Sequence, residues 1–291
     1  MVVSHRDAVR SLTSTPEHSR VRPSHRLNWF GALAAATFAF AAQQSSAADW
    51  RYSVGIHDFI VDQVNSDTYG LDAGVFMSNQ TAWGVPLVGS FQLSWDHDQD
   101  DLDPDHIPIW WQLHLGSGGV FWQPSPRFDL GWTADLNTRM NTVSSIERQM
   151  QLLPTLSAAY HGSIAEASVK AGGGYFFLEI DDDVPSERGY VREDLRTSTF
   201  AESLVADGSI KLGESWKLKA RAQGWWDGSD WLQTEYAAEV HFAVNHSANT
   251  EMVLSAEVNE YNLDIYRSDQ PLPLLPWDRD LLLKLLVVMD W

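Results

Sequence analysis

The sequence predicts an all-β chain, a closed antiparallel transmembrane β-barrel of about twelve strands with short turns at one end and long loops at the other. Three observations predict it. Apolar residues recur with period two along nearly the whole chain after residue 48. The connections between these alternating segments are short and long by turns. Tryptophans gather near the segment ends, where indole suits an apolar–water boundary because it is large and apolar yet carries one N–H donor.

Residues 1–48 stand apart. Arg6, Arg10, Arg20, Arg22 and Arg26 form a basic leader, followed by the apolar "LNWFGALAAATFAFAA" and the small residues of "QQSSAAD". This order predicts a secretory signal peptide cleaved after Ala47 or Ala48, leaving a single domain, 49–291. The whole chain carries a formal charge of −19 and the leader +3, so the mature chain is near −22. Such a charge excludes nucleic acid as a partner, since its phosphates require Lys and Arg. There are no cysteines, which excludes disulfides, thiolate metal sites and cysteine nucleophiles. No later segment has the roughly 20 apolar residues of a membrane-spanning helix. The closing "LLLKLLVVM" reaches nine with a lysine inside.

In order, the first segment alternates Trp50, Tyr52, Val54 and Ile56 with Arg51, Ser53, Gly55 and His57. The second sets Tyr69, Leu71, Ala73, Val75 and Met77 against Gly70, Asp72 and Gly74. Phe91, Leu93 and Trp95 make the third, and Ile109, Trp111, Leu113 and Leu115 the fourth. The fifth, "RFDLGWTADLNTR", opposes Phe128, Leu130, Trp132, Ala134 and Leu136 to a polar face. The sixth runs from Met150 to Tyr160 and the seventh from Ala165 to Phe177. The eighth follows Leu204, Ala206, Ile210 and Leu212; the ninth sets Trp216, Leu218, Ala220 and Ala222 against Lys217, Lys219, Arg221 and Gln223. Tyr236 to Phe242 form the tenth, Met252 to Val258 the eleventh, and "DLLLKLLVVMDW" the twelfth.

A soluble sandwich would show the same alternation with its polar face outward. Connection length separates the two. The links "SNQT", "GSGG", "HGS", "GES" and "NHSAN" after even-numbered segments are short, while those after segments three, five, seven and eleven are long; those after one and nine are intermediate. Trp50, Trp83, Trp216 and Trp291 fall at the turn end and Trp95, Trp226, Trp231 and Trp277 at the loop end, with Trp132 the exception in mid-strand. An even strand number keeps both termini at the turn side. Taken together these segments resemble the bacterial outer-membrane β-barrel class. That resemblance implies an outer-membrane location, periplasmic turns, external loops and contact with lipid and lipopolysaccharide. It also implies that the final strand, ending in Trp291, is read by the barrel-assembly machinery.

Chemistry-bearing residues fall in two groups. The polar faces place Arg127, Asp129, Asp135, Arg139, Lys217, Lys219, Arg221, Glu235 and Glu239 in the lumen, where they would form either a charged constriction or a set of rigidifying ion pairs. The acidic "DHDQDDLDPDH" offers Asp96, Asp98, Asp100, Asp103 and Asp105 as oxygen ligands for surface Ca²⁺ or Mg²⁺. It opens like an EF-hand loop but has Asp101 where the glycine belongs and Ile107 where the glutamate belongs. No other cofactor is expected. Outer-membrane phospholipases and lipid A deacylases resemble one another in a His-x-Ser pair, which this chain lacks; in "NHSAN" His246 adjoins Ser247. The expected function is a narrow channel for small polar solutes. The alternatives are a lipid-modifying enzyme and a structural or surface-interaction barrel with a closed lumen. Leu282, Leu286 and Val288 face inward beside Lys284, which predicts a dry patch on one wall.

Overall fold

The computed structural model describes residues 48–61, 67–81, 84–97, 109–141, 146–181, 191–245, 249–266 and 278–290. The leader through Ala47 lies outside them, as do Asp98, Asp100, Asp103, Asp105, Trp83, Trp277 and Trp291.

The chain is a closed barrel of twelve antiparallel strands, each paired with its sequence neighbours. They are β1 (Asp49–Val61), β2 (Asp67–Gln80), β3 (Pro86–Asp96), β4 (Ile109–Ser125), β5 (Phe128–Met140) and β6 (Ile146–His161). The ring continues through β7 (Ala165–Ile180), β8 (Arg196–Leu212), β9 (Trp216–Trp226), β10 (Trp231–Asn245), β11 (Thr250–Tyr261) and β12 (Arg279–Asp290). β12 closes it against β1, from Arg51 opposite Asp290 to Val61 opposite Asp280. Closure leaves no strand edge, so backbone N–H and C=O groups are paired around the wall.

The alternation has the inverted sense. Val54, Leu71, Leu156, Leu204 and Leu254 point outward and are at least half exposed, Leu156 to 67%. Ser53, His57, Asp72, Arg139, Gln151, Gln223 and Lys284 point inward and are buried. An apolar belt outside with polar side chains within is the surface of a transmembrane barrel.

Two details depart from expectation. The glycines of "GSGG" (116–119) are not a turn. They lie inside β4, which runs six residues further before the tight turn at Pro126 and Arg127. The glycines serve close packing: a Cβ on Gly118 would sit 2.8 Å from the Trp132 carbonyl oxygen, and one on Gly119 would sit 3.0 Å from the Trp132 indole nitrogen. The longer β4 also removes the Trp132 exception, because Trp132 pairs Gly119, beyond the Leu87–Ser117 pair where β3 begins to meet β4. The β4–β5 hairpin therefore projects past β3 on the turn side, level with the end of β6, with Val120, Phe121 and Trp122 more than half exposed. Second, the loop end is not uniformly long. The connections after β3, β7 and β11 are long, whereas those after β1, β5 and β9 span only 62–66, 141–145 and 227–230. The three long loops thus recur every fourth strand around the rim.

Candidate functional site: the lumen

Inward-facing side chains divide the lumen into a packed half at the loop end and an open half at the turn end. At the loop end, strands β6 to β11 contribute Ile146, Leu153, Phe176, Val205, Trp225 and Leu232 to one apolar cluster. Two short 3₁₀ turns complete it from above. Leu195, in the turn Arg192–Leu195 that precedes β8, is 0% exposed, and Leu263, in the turn Leu263–Tyr266 that follows β11, is 5% exposed. Tyr266 packs against this cluster, and its hydroxyl accepts a 2.7 Å hydrogen bond from Thr197. A second cluster, Phe59, Val61, Trp110 and Leu282, fills the opposite wall.

Between these clusters runs a charged layer. Arg139, 7% exposed, extends from β5 across the lumen to Asp280 (3.2 Å), the Tyr261 hydroxyl (3.4 Å) and Glu257 (3.7 Å). β5 and β11 stand opposite each other in the ring, so this side chain and its partners form a strut between opposite walls. Its guanidinium also lies 5.8 Å from the centres of the Phe59 and Trp110 rings. Beside it, His57 presents Nδ1 to Asp72 (2.8 Å) and Nε2 to Asp96 (2.7 Å). Ser94 donates to Asp72, Trp110 Nε1 donates to Asp96, and Lys284 reaches Asp72 (3.2 Å) and the Gln92 carbonyl (2.9 Å). Such groups tolerate burial because each charge has a partner, although Asp96 Oδ2 and Arg139 Nε are buried without a hydrogen bond among the described residues.

Asp96 is therefore a buried lumen residue, and the other acidic-loop carboxylates named with it as metal ligands lie outside the described residues. One of the Asp96 oxygens is taken by His57 and Trp110. The constriction residues are similarly redistributed. Arg127 occupies the β4–β5 turn, exposed, with its carbonyl accepting from the His161 N–H; it does not line a constriction, because β4 is longer than its glycines suggest. Asp129 bonds His161 (2.7 Å), and Asp135 holds His114 and Thr133 at 3.0 Å each. Lys219 pairs Glu239 at 2.9 Å, and Arg221 lies between Asp207 (4.0 Å) and Glu235 (3.6 Å). Lys217 has no ion-pair partner among the described residues. Glu239 also meets His241 (2.6 Å), whose other ring nitrogen lies 3.1 Å from Glu251. Glu251 and Asp290 in turn hold Arg51 at 2.6 and 2.8 Å.

The His57–Asp72–Asp96 group was not singled out from the sequence. The signal that could have found it is positional: all three sit on inward registers of three consecutive strands. Ser94 donates to Asp72 and not to His57, so the histidine is not placed to activate the hydroxyl. All four side chains are buried in the lumen, away from the lipid that a lipid hydrolase must reach.

Below this layer the lumen is open. A cavity of about 630 Å³ is lined by Trp50, Arg51, Ser78, Glu251 and Asp290 at the turn end. Another of about 490 Å³ is bordered by Tyr160, His161, Asp207, Lys217 and Arg221. A central one of about 230 Å³ shares Arg51 and Glu251 with the first and Lys219 and Glu239 with the second. The dry patch lines it: Leu286 and Val288 pack with Val253, while Leu282 belongs to the Phe59 cluster above.

No family model and no curated protein matches the chain. Among solved structures, a NanC porin covers 84% of this chain with 100% of its own length, at 9% identity and a TM-score of 0.44. A KdgM porin covers 82% with 99% of its own, at 9% and 0.41. Outer membrane phospholipase A from Escherichia coli covers 84% with 90% of its own, at 11% and 0.42. These are likenesses of barrel architecture, shared by two porins and an enzyme, and they assign no activity.

Proposed function

We propose that the chain resides in the bacterial outer membrane as a gated narrow pore for small polar solutes, with a vestibule facing the periplasm and a plug at the external end. The observation that carries the reading is the division of the lumen. Three adjoining cavities with charged and hydrogen-bonding walls lead inward from the turn end and stop at a packed layer. Part of that layer is borne by loops: Leu195 and Leu263 are carried by 3₁₀ turns outside the strands and can withdraw without breaking the barrel ladder. The closure is also imperfect. The Trp225 indole N–H is buried without an acceptor among the described residues, a deficit of about 1–3 kcal/mol in the closed form.

Planar-bilayer recordings test this. The wild-type barrel is expected to conduct in brief openings, and the Leu195→Ser, Leu263→Ser double variant for most of the record. If neither conducts while both show the heat-modifiable gel migration of folded barrels, the closed-lumen reading replaces the pore. The Arg139 strut is the observation that favours that second reading, since it spans the lumen from wall to wall.

A further inference from the structure

The central cavity has two unlike walls. On the β11–β12 side it is aliphatic: Val253, Leu286 and Val288 are each at most 6% exposed, and their cluster borders the void. On the β3–β4 side stand the amides of Gln92 and Gln112, and the Ser255 hydroxyl adds a third hydrogen-bonding group. Charges are present in the lining but already consumed. Arg51 pairs Glu251, Lys219 pairs Glu239, and Lys284 pairs Asp72. By contrast, Gln112 and Ser255 make no hydrogen bond among the described residues, and Gln92 uses only its carbonyl, toward Lys284. An occupant therefore meets neutral donors and acceptors on one side and methyl groups on the other.

An ion gains little here, because it would have to break existing pairs to find a counter-charge. A purely apolar molecule would strip water from the amides without replacing its hydrogen bonds. The volume, about 230 Å³, lies below the roughly 300–1,000 Å³ of sites for drug-sized ligands, so it suits a single ring. We propose that this cavity is a binding subsite for an uncharged polyhydroxylated ring of the pyranose type. One C–H face lies on Val253, Leu286 and Val288, and the hydroxyls meet Gln92, Gln112 and Ser255. The proposal rests on the pore reading only for the route by which the solute arrives.

Saturation-transfer difference NMR on the folded full-length barrel in detergent tests it, with D-glucose as probe and D-glucuronate as the charged comparator. The expected result is transfer to glucose, strongest at the protons of one ring face, and weaker transfer to glucuronate. Gln112→Ala removes an amide with no hydrogen-bond partner among the described residues, so the barrel should fold unchanged while glucose binding weakens roughly fivefold. Val288→Thr keeps the volume and should weaken binding by making the aliphatic wall polar. No transfer to glucose, equal transfer to glucuronate, or a Gln112→Ala barrel that binds as the wild type does would each overturn the proposal. Binding without conductance would sink the pore and leave the subsite standing. Conductance without glucose binding would do the reverse.

Discussion

Replacing Arg139 by alanine should destabilise the barrel more than any other single lumen truncation. The guanidinium lies 3.2 Å from Asp280, whose side chain is 1% exposed. Removing one partner of a buried ion pair costs about 3–5 kcal/mol, because the other charge stays buried. Asp280 would keep Asn259 Nδ2 (3.0 Å) and the Tyr261 hydroxyl (3.3 Å), which places the loss at the lower end. Loss of the cation above Phe59 and Trp110 adds about 1 kcal/mol, so roughly 4 kcal/mol is expected in all. With a urea dependence of about 3 kcal/mol per molar, the unfolding midpoint should fall by about 1.3 M. The assay is reversible urea unfolding in phosphocholine vesicles, followed by tryptophan fluorescence. An Arg139→Met, Asp280→Leu double variant should recover most of the loss, since it removes both buried charges. A single-variant shift below about 0.3 M, or a double variant no better than Arg139→Met alone, would refute the strut.

His57→Gln leaves one of its two carboxylates facing the amide oxygen instead of a donor. It should cost about 2–3 kcal/mol in the same unfolding assay, and His57→Gln combined with Asp96→Asn should cost less. Gly174→Val places a Cβ against the Leu152 carbonyl, where the β6–β7 ladder already skips Pro154, so the chain should fail to acquire heat-modifiable migration. Lys217→Glu removes an unpaired vestibule cation. It should lower the anion-to-cation permeability ratio measured from reversal potentials, with the unfolding midpoint unchanged; an unaltered ratio would remove Lys217 from the solute path.

The barrel was legible because period-two alternation is a property of each strand by itself, and twelve weak signals agree. Boundaries were legible only where turn chemistry matched strand chemistry. The run Gly116–Gly119 carries the residues of a turn, but glycine also serves where a bulky ring such as Trp132 lies across the neighbouring strand. Sequence cannot separate these uses without the partner strand. The lumen was half legible. Alternation gave the inward set correctly for Asp135, Arg139, Lys219 and Glu239, yet nothing local reveals which of them meet. Arg139 and Asp280 are 141 residues apart and meet only because closure brings β5 opposite β11 and β12. The dry patch of Leu282, Leu286 and Val288 was legible for a simpler reason: apolar residues on a polar face need an apolar partner, and Val253 and Phe59 supply it.

That patch also constrains how the barrel is made. β12 closes the ring against β1, and both of its faces carry apolar side chains: Leu283 and Leu285 meet lipid, while Leu282, Leu286 and Val288 meet the interior around Lys284 and Asp280. A half-polar strand can wait at a water boundary with one face wetted. β12 offers water little beyond Asp280 and Lys284 on its inner face, and its unpaired edge in water is a template for association with other chains. It becomes stable only when β1 and β11 flank it and Val253 and Phe59 cover its inner side. Ring closure and interior packing are thus coupled, and until both are complete this segment exposes apolar surface and an open edge on which chains can aggregate.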